Sequence, residues 1–355
     1  MNFDLSEEQE LFRATVERFT APIDVEARRK LRMNDGGYDT ARWQELAELG
    51  LIALAASEEA GGMGGSILDL ALVGEAIGKA NAPDPWLENG VLPALLLGAA
   101  GADEVLEAAL CGESFTALAW AERNQRYSLE AKQTKCDGGT ITGEKTFVLG
   151  AALADQFIVS ARDGEATEFF LVPADAQGLE TRAYRMADGS MAGEMRFTRV
   201  EGTKLDVSSE ALEQIIAQIR LLAAAELAGL GQRLLDDTVT YVKEREQFGV
   251  PIGSFQALQH RLVDCYARME QARSMLYRAA LADTSDSNAW QRQAAGAKAY
   301  ITENVDHIAR EAVQMHGGMG ITDELAIGHA MKRVLLLSKL FGDVDTNLVD
   351  YAEAA

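Results

Sequence analysis

The pattern of apolar and polar positions divides the chain into three regions. Residues 1–115 and 206–355 repeat apolar side chains at helical spacing, whereas residues 116–205 carry short β-branched or aromatic runs. Glycine and proline separate those runs, which is typical of short strands. We therefore predict a mainly α, α+β protein with an N-terminal helical domain, a middle β domain and a C-terminal helical bundle at these boundaries.

The N-terminal region contains several helix signals. Ser6 precedes acidic and amide residues and predicts the start of a first helix. Trp43 and Leu46 mark a second helix, and helical spacing resumes from Leu68 onward. Between them, the glycines of residues 61–65 could hold a phosphate. No Lys-Ser/Thr follows them and no strand pattern precedes them, so we interpret this segment as a loop.

The middle region predicts an antiparallel sheet or a barrel-like β domain. Its clearest runs lie at residues 140–142, 146–149, 157–159 and 169–172. Met195, Phe197 and Val200 indicate one more strand.

Two apolar seams dominate the C-terminal region. Each alternates spacings of four and three residues, as expected for a buried helix face. The first contains Leu221, Ala225, Ala228, Gln232, Leu235, Val239 and Val242, and the second Ala294, Ala297, Ile301, Val305, Ile308, Ala312 and Met315. With helical stretches at 255–282 and 323–340, the region predicts a four-helix bundle. Gly229 and Gly231 would let another helix approach closely.

Composition narrows the function mainly by exclusion. The chain has 355 residues and a formal net charge of −22, so nucleic acid and anionic membranes are poor partners. Three distant cysteines, Cys111, Cys136 and Cys265, argue for a reducing compartment and against disulfides or a cysteine-based metal site. No apolar run reaches about 18 residues and the acidic N-terminus does not resemble a signal peptide. We therefore expect a cytoplasmic protein that binds no metal and spans no membrane.

One motif with candidate chemistry is Arg245-Glu-Gln-Phe248-Gly249. Arg245 and Phe248 lie three residues apart at a predicted helix end, so we expect them to share a helical face. The arginine offers donors that match a phosphate, and the phenylalanine offers a flat surface for an aromatic ring. An exposed arginine beside a core phenylalanine is the plainer interpretation of this pentapeptide alone.

A second motif is Gln314-Met-His316-Gly317-Gly318-Met-Gly, at the end of the second seam. Glycines there let a ligand or another backbone approach closely. A helix cap followed by a turn would leave the same pattern. No second histidine or acid accompanies His316 at metal spacing, so we interpret it as a structural, hydrogen-bonded histidine.

Taken in order, these motifs closely resemble those of the acyl-CoA dehydrogenase family along the full length of the chain. The series also includes the glycines of residues 61–65 and Gly143-Glu144-Lys145 in the β region. The resemblance implies the family fold, usual assembly as a tetramer, and FAD bound between subunits. It further implies that five residues reach the ADP half of a neighbour's FAD: Arg245, Phe248, Gln314, Gly317 and Gly318.

The departures from the family pattern are equally specific. The usual Thr-Glu-Pro, which holds flavin and substrate, reads Ala121-Glu122-Arg123, and the Trp-Ile-Thr that covers the flavin ring reads Phe147-Val148-Leu149. Phe147 can still stack on a flavin, but Leu149 cannot donate a hydrogen bond. By ungapped spacing from Gln314, the catalytic glutamate position falls on Phe341. A second known base position, just before the arginine that matches Arg220, is Ile219.

The missing carboxylates bear directly on catalysis. Removal of an α-proton from a thioester needs a carboxylate in reach while the β-hydride leaves to the flavin. Phe341 cannot accept a proton, although its backbone N–H could help to bind the thioester oxygen. Asp343 is the nearest acid in sequence, but it is shorter than glutamate and points elsewhere on a helix. It is therefore a candidate base, with a capping or surface role as the alternative.

The substitutions most resemble those in the shorter subunits of two-subunit members, such as pimeloyl-CoA dehydrogenase. We therefore expect a subunit of an FAD-dependent acyl-CoA dehydrogenase that passes electrons to an electron-transfer flavoprotein. A longer catalytic subunit would be its partner, and Arg220 would line the acyl-CoA end of the site. Two alternatives remain open: a homomeric enzyme that uses Asp343 or another acid, and a non-catalytic scaffold that keeps the fold.

Overall fold

The computed structural model describes residues 5–21, 24–31, 33–34 and 37–353. The chain forms two compact units. The helical unit comprises Met1–Arg29, Ile67–Ala82 and Ile216–Ala355, and the mixed unit comprises Lys30–Ser66 and Pro83–Ile215. Helices, then strands, then helices follow one another along the sequence, as predicted. The exact boundaries of three domains stay a prediction.

Helices before the sheet are short. They are α1 (Glu7–Phe19), α2 (Val25–Leu31), α3 (Thr40–Glu48), α4 (Ile67–Ala80), α5 (Leu92–Ala99) and α6 (Asp103–Leu110), with a π-helical turn at Trp86–Val91. The predicted start at Ser6 is confirmed, because its hydroxyl accepts from the Gln9 backbone N–H while the Gln9 side chain accepts from the Ser6 N–H.

The C-terminal helices form the predicted bundle. They are α7 (Ser209–Glu244), α8 (Gln256–Ala280), α9 (Ser287–His316) and α10 (Ala326–Leu337), followed by a fifth, α11 (Val344–Glu353). Every member of the second seam is buried along α9. An added Cβ at Gly229 of α7 would overlap the Glu75 carbonyl of α4, so only glycine permits this close helix crossing.

α7 is the one helix of the described residues that is long and apolar enough to cross a membrane. Of its most apolar window, 83% is buried inside the protein. The helix is therefore the central core element of the bundle, and its apolar character follows from contact with helices on several sides.

The mixed unit is built on an eight-stranded sheet with the strand order β6-β7-β3-β2-β4-β5-β8, while β1 pairs with β4. The strands are β1 (Thr116–Ala119), β2 (Lys135–Asp137), β3 (Thr140–Leu149), β4 (Gln156–Asp163), β5 (Ala166–Pro173), β6 (Leu179–Arg185), β7 (Met191–Glu201) and β8 (Thr203–Leu205). Phe157, Phe170 and Phe197 belong to the buried core of this sheet.

The sheet differs from the prediction in two respects. The runs at 140–142 and 146–149 belong to one strand, β3, whose pairing with β7 is interrupted by irregularities. The sheet is not wholly antiparallel, since β1 and β2 both pair with β4 in parallel. Both are four residues or fewer, so they carry too little alternation for sequence patterns to reveal them.

The glycines of residues 61–65 form a compact loop. The N–H groups of Gly62, Met63, Gly64 and Gly65 donate to backbone carbonyls of residues 53–57. These donors are satisfied within the loop, which agrees with the loop interpretation and leaves them engaged away from any phosphate.

Candidate functional site

The Arg245 motif lies on a β-hairpin rather than on a helix. α7 ends at Glu244, and β9 (Glu246–Gln247) pairs with β10 (Val250–Pro251). Phe248 and Gly249 both have positive φ values, 57° and 81°, which is the backbone of a two-residue type I′ turn. The predicted shared helical face is therefore wrong, because this turn reverses the chain directly after the helix.

Both candidate side chains of the hairpin face outward. Phe248 is 94% exposed, and Arg245 is exposed as well. Among the described residues, the Arg245 guanidinium has no ion-pair partner. A phenylalanine in the left-handed region is a strained conformation, and exposing its ring to water adds to the cost. The exposed ring is therefore available for a contact outside this chain.

The second motif occupies the end of α9. Gln314 is exposed in the last helical turn, and Gly317 is the C-cap, with φ +62° and its N–H donating to the Gln314 carbonyl. A one-turn 3-10 helix, Gly317–Ile321, follows. An added Cβ at Gly317 or Gly318 would meet no atom within 4 Å, so the flank of this turn is open.

His316 is structural, as the sequence indicates. It is buried, its Nδ1 lies 2.8 Å from the Ala312 carbonyl oxygen, and its ring stacks on Tyr241 of α7 at 4.1 Å between centroids. The stack brings together the two helix ends that carry the candidate motifs. A guanidinium, an amide, an aromatic face and open glycine backbone are groups that fit the phosphates and rings of a dinucleotide.

The residue at the expected base position is buried in the helical unit. Phe341 is 4% exposed and has a φ of +52°. Its carbonyl accepts a hydrogen bond of 2.9 Å from Arg220 Nε, and Arg220 Nη1 lies 2.7 Å from Asp350 Oδ2. Ile219, at the alternative base position, is fully buried. The structure thus joins Arg220 to the Phe341 turn and adds Asp350, which sequence spacing gave no means of finding.

Asp343 sits at the start of α11 as a helix cap. Its Oδ1 accepts from the Thr346 backbone N–H at 3.1 Å and from the Thr346 hydroxyl at 2.9 Å. This is the arrangement of an N-cap residue, in which the side-chain oxygen satisfies a free helical N–H. The carboxylate is therefore occupied locally, which favours the capping alternative over the base.

In the mixed unit, the two segments predicted from the resemblance to hold the flavin lie side by side. The Thr146 N–H donates to the Ala121 carbonyl at 2.8 Å, which joins residues 121–123 to β3. Phe147 is half-buried with φ +56°, at the irregular part of β3. The Leu149 carbonyl accepts from Asn89 Nδ2 at 3.2 Å.

Glu122 has a role that the sequence comparison did not reveal. Its buried carboxylate accepts from Lys145 Nζ at 2.9 Å and from the backbone N–H groups of Lys132, Gln133 and Thr134. Burial raises its pKa, but these hydrogen bonds and the lysine charge outweigh burial and lower the pKa to about 2. Lys145 has a pKa lowered to about 8 because it is buried, despite the favourable carboxylate.

Lys298 is a second buried charged residue that the sequence patterns did not predict. It is fully buried, and its Nζ donates to the carbonyl of Leu337, the last residue of α10. Burial lowers its pKa to about 7, against the opposing effect of Glu226. Glu226 itself accepts two hydrogen bonds from Arg333. The available signal was a lysine next to Ala297 on the apolar seam of α9.

Comparison with known families gives one consistent result. The family profile described as "Acyl-CoA dehydrogenase, N-terminal domain" matches residues 6–110. The profiles of the middle and C-terminal domains of the same family match residues 117–200 and 209–355.

Individual relatives and solved structures give the same result as the family profiles. Acyl-CoA dehydrogenase IpdE2 of Mycolicibacterium smegmatis is 33% identical over 344 residues, which cover 95% of this chain and 96% of the relative. The ChsE4-ChsE5 complex from Mycobacterium tuberculosis gives a TM-score of 0.88 at 25% identity, with 99% of this chain and 98% of that chain covered.

A third structure, described as PigA with FAD and proline, gives a TM-score of 0.89 at 23% identity, with 99% of this chain and 98% of that chain covered. That likeness shows the shared fold. The family profiles and the similarity to IpdE2 carry the assignment. The chain therefore belongs to the acyl-CoA dehydrogenase family, oxidoreductases that act on CH–CH groups with FAD as cofactor.

Proposed function

We propose that this chain is the base-lacking subunit of a two-subunit, FAD-dependent acyl-CoA dehydrogenase. The assembly would introduce an α,β double bond into an acyl-CoA and pass the electrons to an electron-transfer flavoprotein. A longer family member that carries the glutamate would be the catalytic partner. The three-domain division at residues 1–115, 116–205 and 206–355, the tetrameric state and the cytoplasmic location are part of the same proposal.

The observation that carries the proposal is the state of the carboxylates around the Phe341 turn. Phe341 itself is buried and cannot accept a proton. Asp343 is engaged as the cap of α11, and Asp350 is paired with Arg220 at 2.7 Å. A general base needs a carboxylate free to reach the substrate proton. Neither acid meets that requirement in this arrangement.

The cofactor-facing residues support a role in binding FAD. Arg245 would bind the pyrophosphate, Phe248 would cover an aromatic ring, and Gln314, Gly317 and Gly318 would contact the ADP half. FAD, when bound, supplies the hydride acceptor. Because the Arg245 and Phe248 side chains point away from their own unit, we infer that they complete the FAD site of a neighbouring subunit.

The acyl-CoA end would involve the Phe341 turn. Arg220 fixes the Phe341 carbonyl, which orients the adjoining backbone. In this proposal the turn binds or shapes the thioester end without moving a proton. Phe147 would still cover part of a flavin, whereas Leu149 and Ala121 would contribute no hydrogen-bonding side chain.

The likeness to ChsE4-ChsE5 supports a hetero-oligomer. That structure is described as a complex of two named components, and one of its chains matches almost the whole of this chain. A longer partner would supply the base that this chain lacks. Selectivity among acyl-CoAs depends on the shape of the pocket, so several acyl-CoAs are compared in the test.

The test begins with the N-terminally tagged chain, purified from its host together with any subunit that copurifies. Flavin absorbance and turnover of several acyl-CoAs with an artificial acceptor are measured with and without that subunit. We expect turnover only in the complex, because general base catalysis alone contributes about 10²–10⁴-fold. Robust turnover by the chain alone would overturn the proposal.

The Asp343→Asn variant distinguishes a base-lacking subunit from a homomeric enzyme that uses Asp343 as its base. Asparagine also caps helices well, so the fold should be preserved while the carboxylate is lost. Asp345→Asn, in the first turn of the same helix, is the matched control. We expect both variants to keep the activity of the complex. Abolition by Asp343→Asn alone would favour the homomeric enzyme, and a complex that is colourless and inactive would favour the scaffold.

A further inference from the structure

The stacked pair Tyr241–His316 joins two segments that the proposed function assigns to FAD. Tyr241 lies in the last turns of α7, four residues before Arg245, and His316 is the last residue of α9. Their rings are 4.1 Å apart with an interplanar angle of 26°. Aromatic pairs of this kind contribute beyond simple burial of area.

On the α7 side, the hairpin is fastened directly to Tyr241. The Arg245 N–H donates to the Tyr241 carbonyl at 2.8 Å, and the Ile252 N–H donates to the Arg245 carbonyl at 2.8 Å. An added Cβ at Gly253 would lie 2.9 Å from the Val242 carbonyl oxygen, so the chain after the hairpin returns closely against α7. Displacement of Tyr241 would therefore move the hairpin as a whole.

On the α9 side, the glycine turn is fastened to His316. The imidazole Nδ1 is held 2.8 Å from the Ala312 carbonyl oxygen, which fixes the ring relative to its own helix. An added Cβ at Gly320 would lie 3.1 Å from the His316 Cβ and 2.7 Å from the Val313 carbonyl oxygen. The 3-10 turn Gly317–Ile321 thus closes back over His316.

We propose that Tyr241 and His316 are positioning residues that hold the Arg245 hairpin and the Gly317–Gly318 turn at one fixed spacing. This spacing would allow the hairpin and the turn to bind the same dinucleotide. Neither ring needs to touch the cofactor for this role. Binding residues held in place before the ligand arrives bind more tightly, because less ordering is required on binding. This inference rests on the proposed function, since it concerns the same FAD contacts.

The experiment measures the rate of FAD release from the assembled protein, as purified with its copurifying subunits, after dilution into an excess of an FAD-binding apoprotein or into charcoal. Tyr241→Leu removes the ring, and Tyr241→Phe keeps it. We expect Tyr241→Leu to accelerate release roughly three- to tenfold, from the typical strength of an aromatic pair, and Tyr241→Phe to match the wild type. His316→Leu removes the other ring, and we expect it to accelerate FAD release to a similar extent.

Amide hydrogen exchange of the same variants provides a readout that does not involve catalysis. We expect faster exchange in residues 245–252 and 314–320 of Tyr241→Leu, with the mixed unit unchanged. A wild-type release rate in Tyr241→Leu would overturn the proposal, as would equal effects of Tyr241→Leu and Tyr241→Phe. Loss of folding in both leucine variants would assign the stack to the core and overturn it too.

Arg245→Ala distinguishes failure of this inference from failure of the proposed function. If Arg245→Ala releases FAD but Tyr241→Leu does not, the spacing role alone is wrong. If Arg245→Ala also leaves FAD in place, the assignment of the hairpin to the cofactor is wrong, and both proposals fall together.

Discussion

At the scale of single residues, Glu122 shows how one buried charge is stabilised by several partners at once. Glu122 lies between Ala121 and Arg123 and is a buried acceptor for Lys145 and three backbone N–H groups. Its function in this chain is to tie the segment 132–134 to β3. Removing one partner of such a buried pair leaves the other charge unpaired, which is costly.

Glu122 should therefore make the protein sensitive to acid. Its folded pKa is about 2, below the ordinary value of 4.5. The stabilisation is present above pH 4.5 and is lost as the pH falls through about 2, because the unfolded chain then binds a proton more readily. The measurement is the free energy of unfolding in urea at several pH values between 7 and 2.

Glu122→Gln should lower the free energy of unfolding at pH 7 by about 3–5 kcal/mol and flatten its loss in acid. Glu165→Gln, at an exposed position in the same unit, serves as the control. An acid dependence that is the same in Glu122→Gln and the wild type would show that other carboxylates are responsible.

At the scale of elements, the hairpin after α7 stores strain at its tip. Phe248 occupies the first central position of a type I′ turn, where glycine, asparagine or aspartate is preferred. The strained backbone and the exposed ring both oppose stability of the free chain. Their retention is explained if the ring is covered by cofactor or partner in the assembly.

Phe248→Gly should have opposite effects on the stability of the isolated chain and on FAD binding by the assembly. We expect the isolated chain to gain about 1 kcal/mol in free energy of unfolding, because glycine adopts positive φ without strain. FAD content of the assembly should fall, since the aromatic surface is lost. Phe248→Tyr keeps the ring and should retain FAD. A Phe248→Gly chain that is less stable than the wild type would contradict the strain argument.

The elements also show what the sequence could and could not predict. Long seams such as the one on α9 predicted their helices well, because a repeated spacing averages over many residues. The hairpin was assigned to a helix, because the turn depends on backbone conformation at Phe248 and Gly249 that no spacing reveals. Arg220 contacts Phe341, 121 positions away, and Asp350, 130 positions away, and only the tertiary structure brings these residues together.

At the scale of the whole molecule, the net charge of −22 opposes binding of an anionic dinucleotide. Long-range repulsion must be overcome by short-range contacts, and among the described residues Arg245 has no internal carboxylate to neutralise it. Its guanidinium is therefore available for a phosphate. We infer that this chain contributes more to a partner's FAD than to its own, since Ala121 and Leu149, at the predicted flavin-ring positions, carry no hydrogen-bonding side chain.

In a mixed tetramer with two chains of each kind, we expect about two flavins rather than four. Arg245→Ala should weaken FAD binding roughly ten- to hundredfold, because it removes a charge-assisted contact of about 1.5–3 kcal/mol. Lys243→Ala, which removes a cation from the last turn of α7, is the control. Flavin absorbance per protein gives the count. One tightly bound flavin per chain without a partner would contradict this division of labour.

The exposed tip of the hairpin also makes the free chain a substrate for proteolysis. Chymotrypsin cleaves after accessible aromatic residues, and Phe248 is 94% exposed in a two-residue turn. A single cut there would separate α7 from α8. If the tip is covered in the assembly, cleavage should slow as subunits and FAD join, so a fragment pattern on a gel would report assembly without any assay of enzyme activity.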